Sequence, residues 1–328
     1  MGLKKYAAVQ ADDCILNVQW AGDHLCVTPV TGAILILGKE GEITSALPDH
    51  GLGNGASSAT PDLVATCGFD GRVRLHSLPA CEAVAEVKLG RSVIERVVWS
   101  PDGQHLAVGF GKNLLILDRK GETVATFGEH QTSVTDAAWN PKNAREVASV
   151  SGGGARMWRL GATEPFAKFD WGGASLSVAW SPDGRWLVTG DQTASVHLYD
   201  FNRDYPLHIQ GYETKVKAMA FSPDGKRLAT GGSPMVTVWD CTPKNGPEGS
   251  TPGQLQFHQG DVEAIAWSPD GKYLATGDIL GRLVLSANDK PVSAFQGENN
   301  ITSLAWNADS TLLAVGDGDG LVVVFQAV

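Results

Sequence analysis

A tryptophan, or the residue standing in for it, recurs along this chain at nearly constant spacing, and that spacing constrains the fold more than composition does. Val-Trp99, Ala-Trp180, Ala-Phe221 and Ala-Trp267 each run straight into Ser-Pro-Asp-Gly. Looser copies follow Trp20, Trp139 and Trp306, and a degenerate one follows Ala59, where Thr60-Pro61-Asp62 keeps the turn without the aromatic ring. Steps between successive anchors are 39, 40, 40, 41, 41, 46 and 39 residues. A repeat of about 40 residues is a supersecondary unit that cannot bury its apolar faces alone and must stack on copies of itself.

Each unit reads as a β-meander. Around Trp267 the runs Val262–Trp267, Lys272–Gly277 and Arg282–Leu285 are short, rich in residues that suit a pleated sheet, and separated by turn formers. Pro presets φ in the first turn, Asp can bond the local backbone, and Gly accepts positive φ. A fourth run, Pro291–Phe295, completes the unit. The same grammar follows Trp99, Trp180 and Phe221. The predicted fold is therefore all-β: one closed β-propeller domain over residues 1–328, with eight four-stranded antiparallel blades. Trp20, Trp99, Trp139, Trp180, Phe221, Trp267 and Trp306 are expected to pack between neighbouring blades.

The two ends complement each other. The last unit stops after Leu321–Phe325, and Lys4–Gln10 has the length and position to supply its missing outer strand. Pairing them would remove two open sheet edges.

Length alone would suggest two domains, but stacked repeats grow without enlarging a single core. No window approaches the apolar length of a membrane span, and the N-terminus has two lysines without a signal-peptide core. A net charge of −10 disfavours nucleic acid and anionic lipid. The five cysteines have no metal-ligand spacing, which fits small core residues in a reduced, cytoplasmic protein.

Where Ser-Pro-Asp-Gly, Leu-Ala-Thr-Gly and Val-Thr-Val-Trp239-Asp240 recur together, the chain resembles the WD-repeat β-propeller family over nearly its whole length. Members commonly have seven blades. The count here is eight, with seven as the alternative, and it rests most on the second unit, which lacks its aromatic anchor. Only Trp239-Asp240 keeps the signature dipeptide. The family's tetrad of His, Ser/Thr, Asp and Trp is complete in no unit. His50, Thr66 and Asp70 supply three members, with His76 at the Trp position; His130 and His258 hold the loop position without a matching turn Asp. The resemblance implies that these residues pin loops, and that a protein or peptide binds on one face or at the channel mouth.

No catalytic constellation stands out, and no histidine spacing suits a metal. Gly316-Asp-Gly-Asp-Gly320 lacks further calcium ligands and reads as a tight hairpin. Ser151–Gly154 and Gly51–Gly55 read as turns, and Thr242–Gly253, which accounts for the 46-residue step, as a mobile connection. Loops joining second to third strands, and fourth to next first, share one face. Phe69, Phe110 and Ile279 come from the former set, and Arg91, Trp171, Tyr212 and Lys215 from the latter; these are the partner-binding candidates. Asp12, Asp13, Asp191, Glu213, Asp261, Asp278, Glu298 and Asp317 join them, which favours a partner of basic and apolar character. The expected function is a non-catalytic scaffold for a protein or peptide, with no cofactor, metal, nucleic acid or membrane. The alternative is a propeller enzyme, or a small-ligand or metal-linked accessory protein using a polar channel mouth, with His50, His130 or His258 as the metal-side residues.

Overall fold

A computed structural model describes residues 2–128, 130–201 and 205–327. They divide into two compact units: Met1–Pro29, Ala33–Ala46 and Gln210–Val328 form the first, Val30–Gly32 and Leu47–Ile209 the second. All helical or strand structure among the described residues is β.

In the first unit β1 (Leu3–Gln10) precedes an antiparallel meander of β2 (Ile15–Ala21), β3 (His24–Pro29), β4 (Ile34–Leu37) and β5 (Ile43–Leu47). The second unit holds the meander β6 (Asn54–Ala59), β7 (Leu63–Gly68), β8 (Arg72–Ser77) and β9 (Ala83–Lys88). It continues with β10 (Ile94–Trp99), β11 (His105–Phe110), β12 (Asn113–Asp118) and β13 (Thr123–Phe127). Its last sheet has six strands: β14 (Asp136–Asn140), β15 (Asn143–Arg159), β16 (Ala167–Trp180), β17 (Trp186–Asp191), β18 (Ser195–Asp200) and β19 (Leu207–Gln210). The first unit resumes with β20 (Met219–Phe221), β21 (Arg227–Thr230), β22 (Val236–Asp240) and β23 (Gly253–Leu255). Then come β24 (Val262–Trp267), β25 (Leu274–Asp278), β26 (Arg282–Ala287) and β27 (Lys290–Gln296). Finally β28 (Ile301–Trp306), β29 (Leu312–Asp317) and β30 (Leu321–Ala327) share a sheet with β1.

The expectation of eight separate four-stranded blades is corrected by this topology. The described residues form seven sheets, six of four strands and one of six. The units anchored at Trp139 and Trp180 run together in the large sheet. β15 doubles back on itself, so that the Leu160 N–H reaches the Arg145 carbonyl at 2.8 Å. Its leading half pairs with β14 and its trailing half with β16, which in turn pairs with β17. The cause is local. Gly152-Gly153-Gly154 and Gly172-Gly173 let the backbone bend while staying in the ladder, where other units break into turns; Gly153 and Gly154 have φ of 100° and 103°.

The N-terminal strand completes the last sheet as expected. β1 pairs antiparallel with β30 from Leu3↔Ala327 to Gln10↔Leu321, with one register shift between Lys5 and Ala7.

Ser-Pro-Asp-Gly works as a hydrogen-bonded clasp. In the second full copy the Ser181 hydroxyl donates to Asp183 at 2.5 Å and accepts the Trp186 N–H at 2.8 Å. Asp183 then accepts the Arg185 N–H at 3.1 Å. Ser100, Ser222 and Ser268 repeat the arrangement. Sheets are joined by the anchor indoles. Each N–H reaches the carbonyl just before the preceding anchor: Trp139 to Val98 at 3.0 Å and Trp180 to Ala138 at 3.0 Å. Within the first unit, Trp20 reaches Ala305, Trp267 reaches Ala220 and Trp306 reaches Ala266, at 3.2, 3.2 and 3.3 Å. Phe221 and Ala59 have no N–H to give. Trp99 has one, yet it is buried without a hydrogen-bond partner among the described residues. The core lies between neighbouring sheets, as where Val97, Leu106 and Val108 meet Ala65, Val73 and Leu75.

Candidate functional site

Nine residues before five of the eight anchors stand His50, His130, Trp171, Tyr212 and His258, four of them in loops and Trp171 within β16. These side chains turn inward. His50 is 1% exposed, with Nδ1 on Asp70 at 2.9 Å and Nε2 on Thr66 at 3.0 Å. His76, at the fourth position, leaves its buried Nδ1 unbonded, so the tetrad stops at three. His130 is held by Ser149 at 2.7 Å and the Lys112 carbonyl at 3.0 Å, and the Trp158 indole donates to the same Ser149 hydroxyl at 2.8 Å. The chain of donors requires Trp158 to give to Ser149 and Ser149 to give to His130 Nε2; Nδ1–H then donates to the carbonyl. His258 corrects the expectation that it lacks a turn Asp: Nδ1 meets Asp278 at 3.0 Å and Nε2 meets Thr276 at 2.7 Å. Burial holds His50 and His258 below the ordinary histidine pKa, against the pull of Asp70 and Asp278.

Both ring nitrogens of His50, His130 and His258 are committed, which leaves no lone pair for a metal. No metal-sized group of ligating side chains occurs among the described residues. Ser175, Asp191 and His197 form a chain reminiscent of hydrolytic sites, but its order defeats that chemistry. Ser175 donates to Asp191 at 2.7 Å, and His197 Nδ1 meets the other carboxylate oxygen at 2.6 Å. The imidazole therefore does not address the hydroxyl, and Ser175 is fully buried.

Two partner-binding candidates, Tyr212 and Trp171, are half-buried and engaged in side-chain contacts with neighbouring strands. The Tyr212 hydroxyl bonds Thr230 Oγ1 at 2.8 Å and accepts the Trp239 N–H at 3.3 Å, taking the role an imidazole has elsewhere. Trp171 packs on His197 and His208, with ring centroids 4.3 and 5.0 Å apart. The nine-residue offset from the anchor was the signal that would have separated them from the rim. Asp191 and Asp278 likewise leave the expected acidic face, since both are fully buried and hydrogen-bonded.

The remaining candidates sit at strand ends over glycine. In the second unit, half-buried Phe69 lies against Gly53, beside Leu52, which is 75% exposed. Phe110 lies over Gly90, where an added Cβ would meet its Cζ at 2.9 Å, next to exposed Arg91. In the first unit Ile279 and Leu280 cover Gly260 and are 41% and 53% exposed, and Lys215 is also exposed. The connection Thr242–Gly253 forms turns, with Gly246 and Pro247 buried and most of its other residues exposed. All five cysteines are free, and burial pushes the Cys67 thiol up to about 12. No helix of the described residues is long and apolar enough to cross a membrane.

The fold is similar to the crystal structure of the computationally designed Ika8 protein, with a TM-score of 0.84, 16% identity, and coverage of 98% of this chain and 99% of that one. In sequence the chain is 27% identical over 260 residues to the B-type cell cycle switch protein ccs52A of Medicago truncatula, covering 73% of this chain and 53% of the relative. Protein FIZZY-RELATED 2 of Arabidopsis thaliana is 26% identical over 260 residues, covering 73% and 52%. WD repeat-containing protein VIP3 of Arabidopsis thaliana is 26% identical over 227 residues, covering 65% and 63%. The chain spans about half the length of the first two relatives. The model of the WD domain, G-beta repeat, matches residues 121–159, 172–200, 205–240, 249–284 and 289–326, more than half of the sequence. With this match, the recurring clasps and the partial tetrads that pin the loops, the chain belongs to the WD40 family.

Proposed function

We propose that the chain is a non-catalytic, cytoplasmic scaffold that binds a protein or peptide at its strand-end rim. The contact residues are Phe69, Arg91 and Phe110 in the second unit and Lys215 and Ile279 in the first. One observation carries the reading: the ring nitrogens of His50, His130 and His258 are consumed as loop pins, while Arg91, Lys215 and Ile279 are left exposed and Phe69 and Phe110 half-exposed. Aromatic and Arg side chains of this kind tend to anchor protein contacts. One relative is named a cell cycle switch protein, which is consistent with regulation by protein contact; the proposal for this chain extends to contact alone.

The test compares wild type with a Phe69→Ala/Arg91→Ala/Phe110→Ala variant of equal melting temperature. Proteins captured from the native lysate are identified, purified and titrated against both forms. A purified partner that binds wild type and loses at least about tenfold in affinity to the variant supports the rim, since three anchors at about 1 kcal/mol or more each exceed that loss. Equal affinity for both refutes it.

A further inference from the structure

The connection between β22 and β23 builds a cavity. Thr242–Gly253 is tied by the Gly246 N–H to the Pro243 carbonyl at 2.8 Å and by the Ser250 N–H to the Pro247 carbonyl at 3.0 Å. Thr242, Thr251 and Gly253 form one wall of a groove of about 410 Å³. The other walls come from the β20–β21 turn at Asp224–Arg227, from Trp239 and Asp240 at the end of β22, and from Asp289 in the β26–β27 turn. This volume lies within the range of pockets that hold small ligands or single side chains, roughly 300–1,000 Å³.

Most charges in the groove cancel. Lys226 faces Asp224 at 3.6 Å. Arg227 pairs with Asp289 and lies over the Trp267 ring, 5.1 Å from its centroid. Asp240 is less fully matched: its carboxylate accepts the Thr242 N–H at 2.9 Å and forms no ion pair within 4 Å among the described residues, its nearest cation across the ladder being Arg227, which pairs with Asp289. Hydrogen bonds from the Thr242 side chain and backbone hold its carboxyl below the usual carboxylate range, which keeps it anionic. Trp239, the preceding residue of β22, also lines the groove, with its N–H directed to Tyr212. A carboxylate in a groove that an indole also lines can receive a guanidinium or ammonium group: the carboxylate supplies the charge and the indole an apolar surface for the side chain's stem.

We propose that this groove binds an arginine or lysine side chain of a protein partner, the cation pairing with Asp240 and lying against Trp239. The site is at the opposite end of β26 from the Ile279 rim, so its occupancy goes beyond the rim reading, and either can fail without the other.

The probe is a fluorescein-labelled Gly-Ser-Arg-Ser-Gly amide, with citrulline, Lys or Glu at the centre as comparators, titrated by anisotropy in low salt. Asp240→Asn keeps an oxygen for the Thr242 N–H, and Asp23→Asn removes an equal charge from an exposed position elsewhere. Expected are binding of the Arg and Lys peptides, little binding of the others, and a loss of about fivefold in Asp240→Asn with none in Asp23→Asn. On wild type, the Arg peptide should also shift the Trp239 indole N–H resonance, assigned by its absence in Trp239→Phe. Equal losses in both Asn variants would reduce the effect to net charge and overturn the proposal. Citrulline or Glu peptides binding as well as Arg, or an unmoved Trp239 resonance at saturation, would do the same.

Discussion

Trp99 and Trp139 are each 6% exposed and hold the same register position in successive repeats, but their indole N–H groups differ in fate. Trp139 donates to Val98 at 3.0 Å, while Trp99 has no acceptor among the described residues. Replacing either by Phe removes the same atoms and leaves a similar void, so packing losses largely cancel in the comparison. Trp139→Phe also forfeits a hydrogen bond with a net value of about 1 kcal/mol. Trp99→Phe discards a buried donor whose lack of a partner costs about 1–3 kcal/mol. The hydrogen-bond contributions have opposite signs, so Trp139→Phe should be less stable than Trp99→Phe by roughly 2 kcal/mol or more. Urea unfolding followed by circular dichroism measures this, with midpoints compared at equal slope. Equal destabilisation, or a larger loss in Trp99→Phe, would show that the indole-to-carbonyl bonds do not join the sheets energetically.

Four further outcomes are expected. Ser181→Ala leaves the buried Trp186 N–H without its hydroxyl acceptor and should cost about 1–3 kcal/mol in the same assay, against under 0.5 for an exposed serine such as Ser92. Tyr212→Phe removes both hydroxyl bonds, to Thr230 and from Trp239, and should cost about 1–2 kcal/mol; an unchanged midpoint would mean that the phenol does not replace the imidazole pin. Deleting residues 1–10 exposes the edge of β30 and should lower both melting temperature and solubility, whereas unchanged values would refute the closure. His50 and His258 have folded-state pKa values below the unfolded one, so the unfolded chain binds more protons between the two; their contribution is complete above about pH 6.5 and declines as pH falls toward the folded values. Urea midpoints should therefore drop from pH 7.5 to pH 5, and a rise on acidification would contradict the assignment.

The repeat period, the Ser-Pro-Asp-Gly clasp and the β1–β30 pairing were legible in the sequence. Each depends on residues within one unit, or on two ends whose patterns complement each other. Harder to read were the loop pins, because Tyr212 and Trp171 keep the position of a histidine while changing its chemistry. A phenol can replace an imidazole as donor and acceptor, and nothing in its identity separates that use from a rim contact. Asp191 and Asp278 misled for the related reason that a carboxylate in a loop is assumed solvated until its donors are known.

By itself the sequence determined a repeating all-β architecture and the family, because turn chemistry and alternating apolar runs act over a few residues and recur. Only the tertiary structure decided that two repeats share one six-stranded sheet, that His258 meets Asp278, and that the long connection walls a groove beside Asp240. Those outcomes depend on hydrogen-bond partners 20 or more residues apart, and on glycine positions where the backbone either breaks its ladder or continues it.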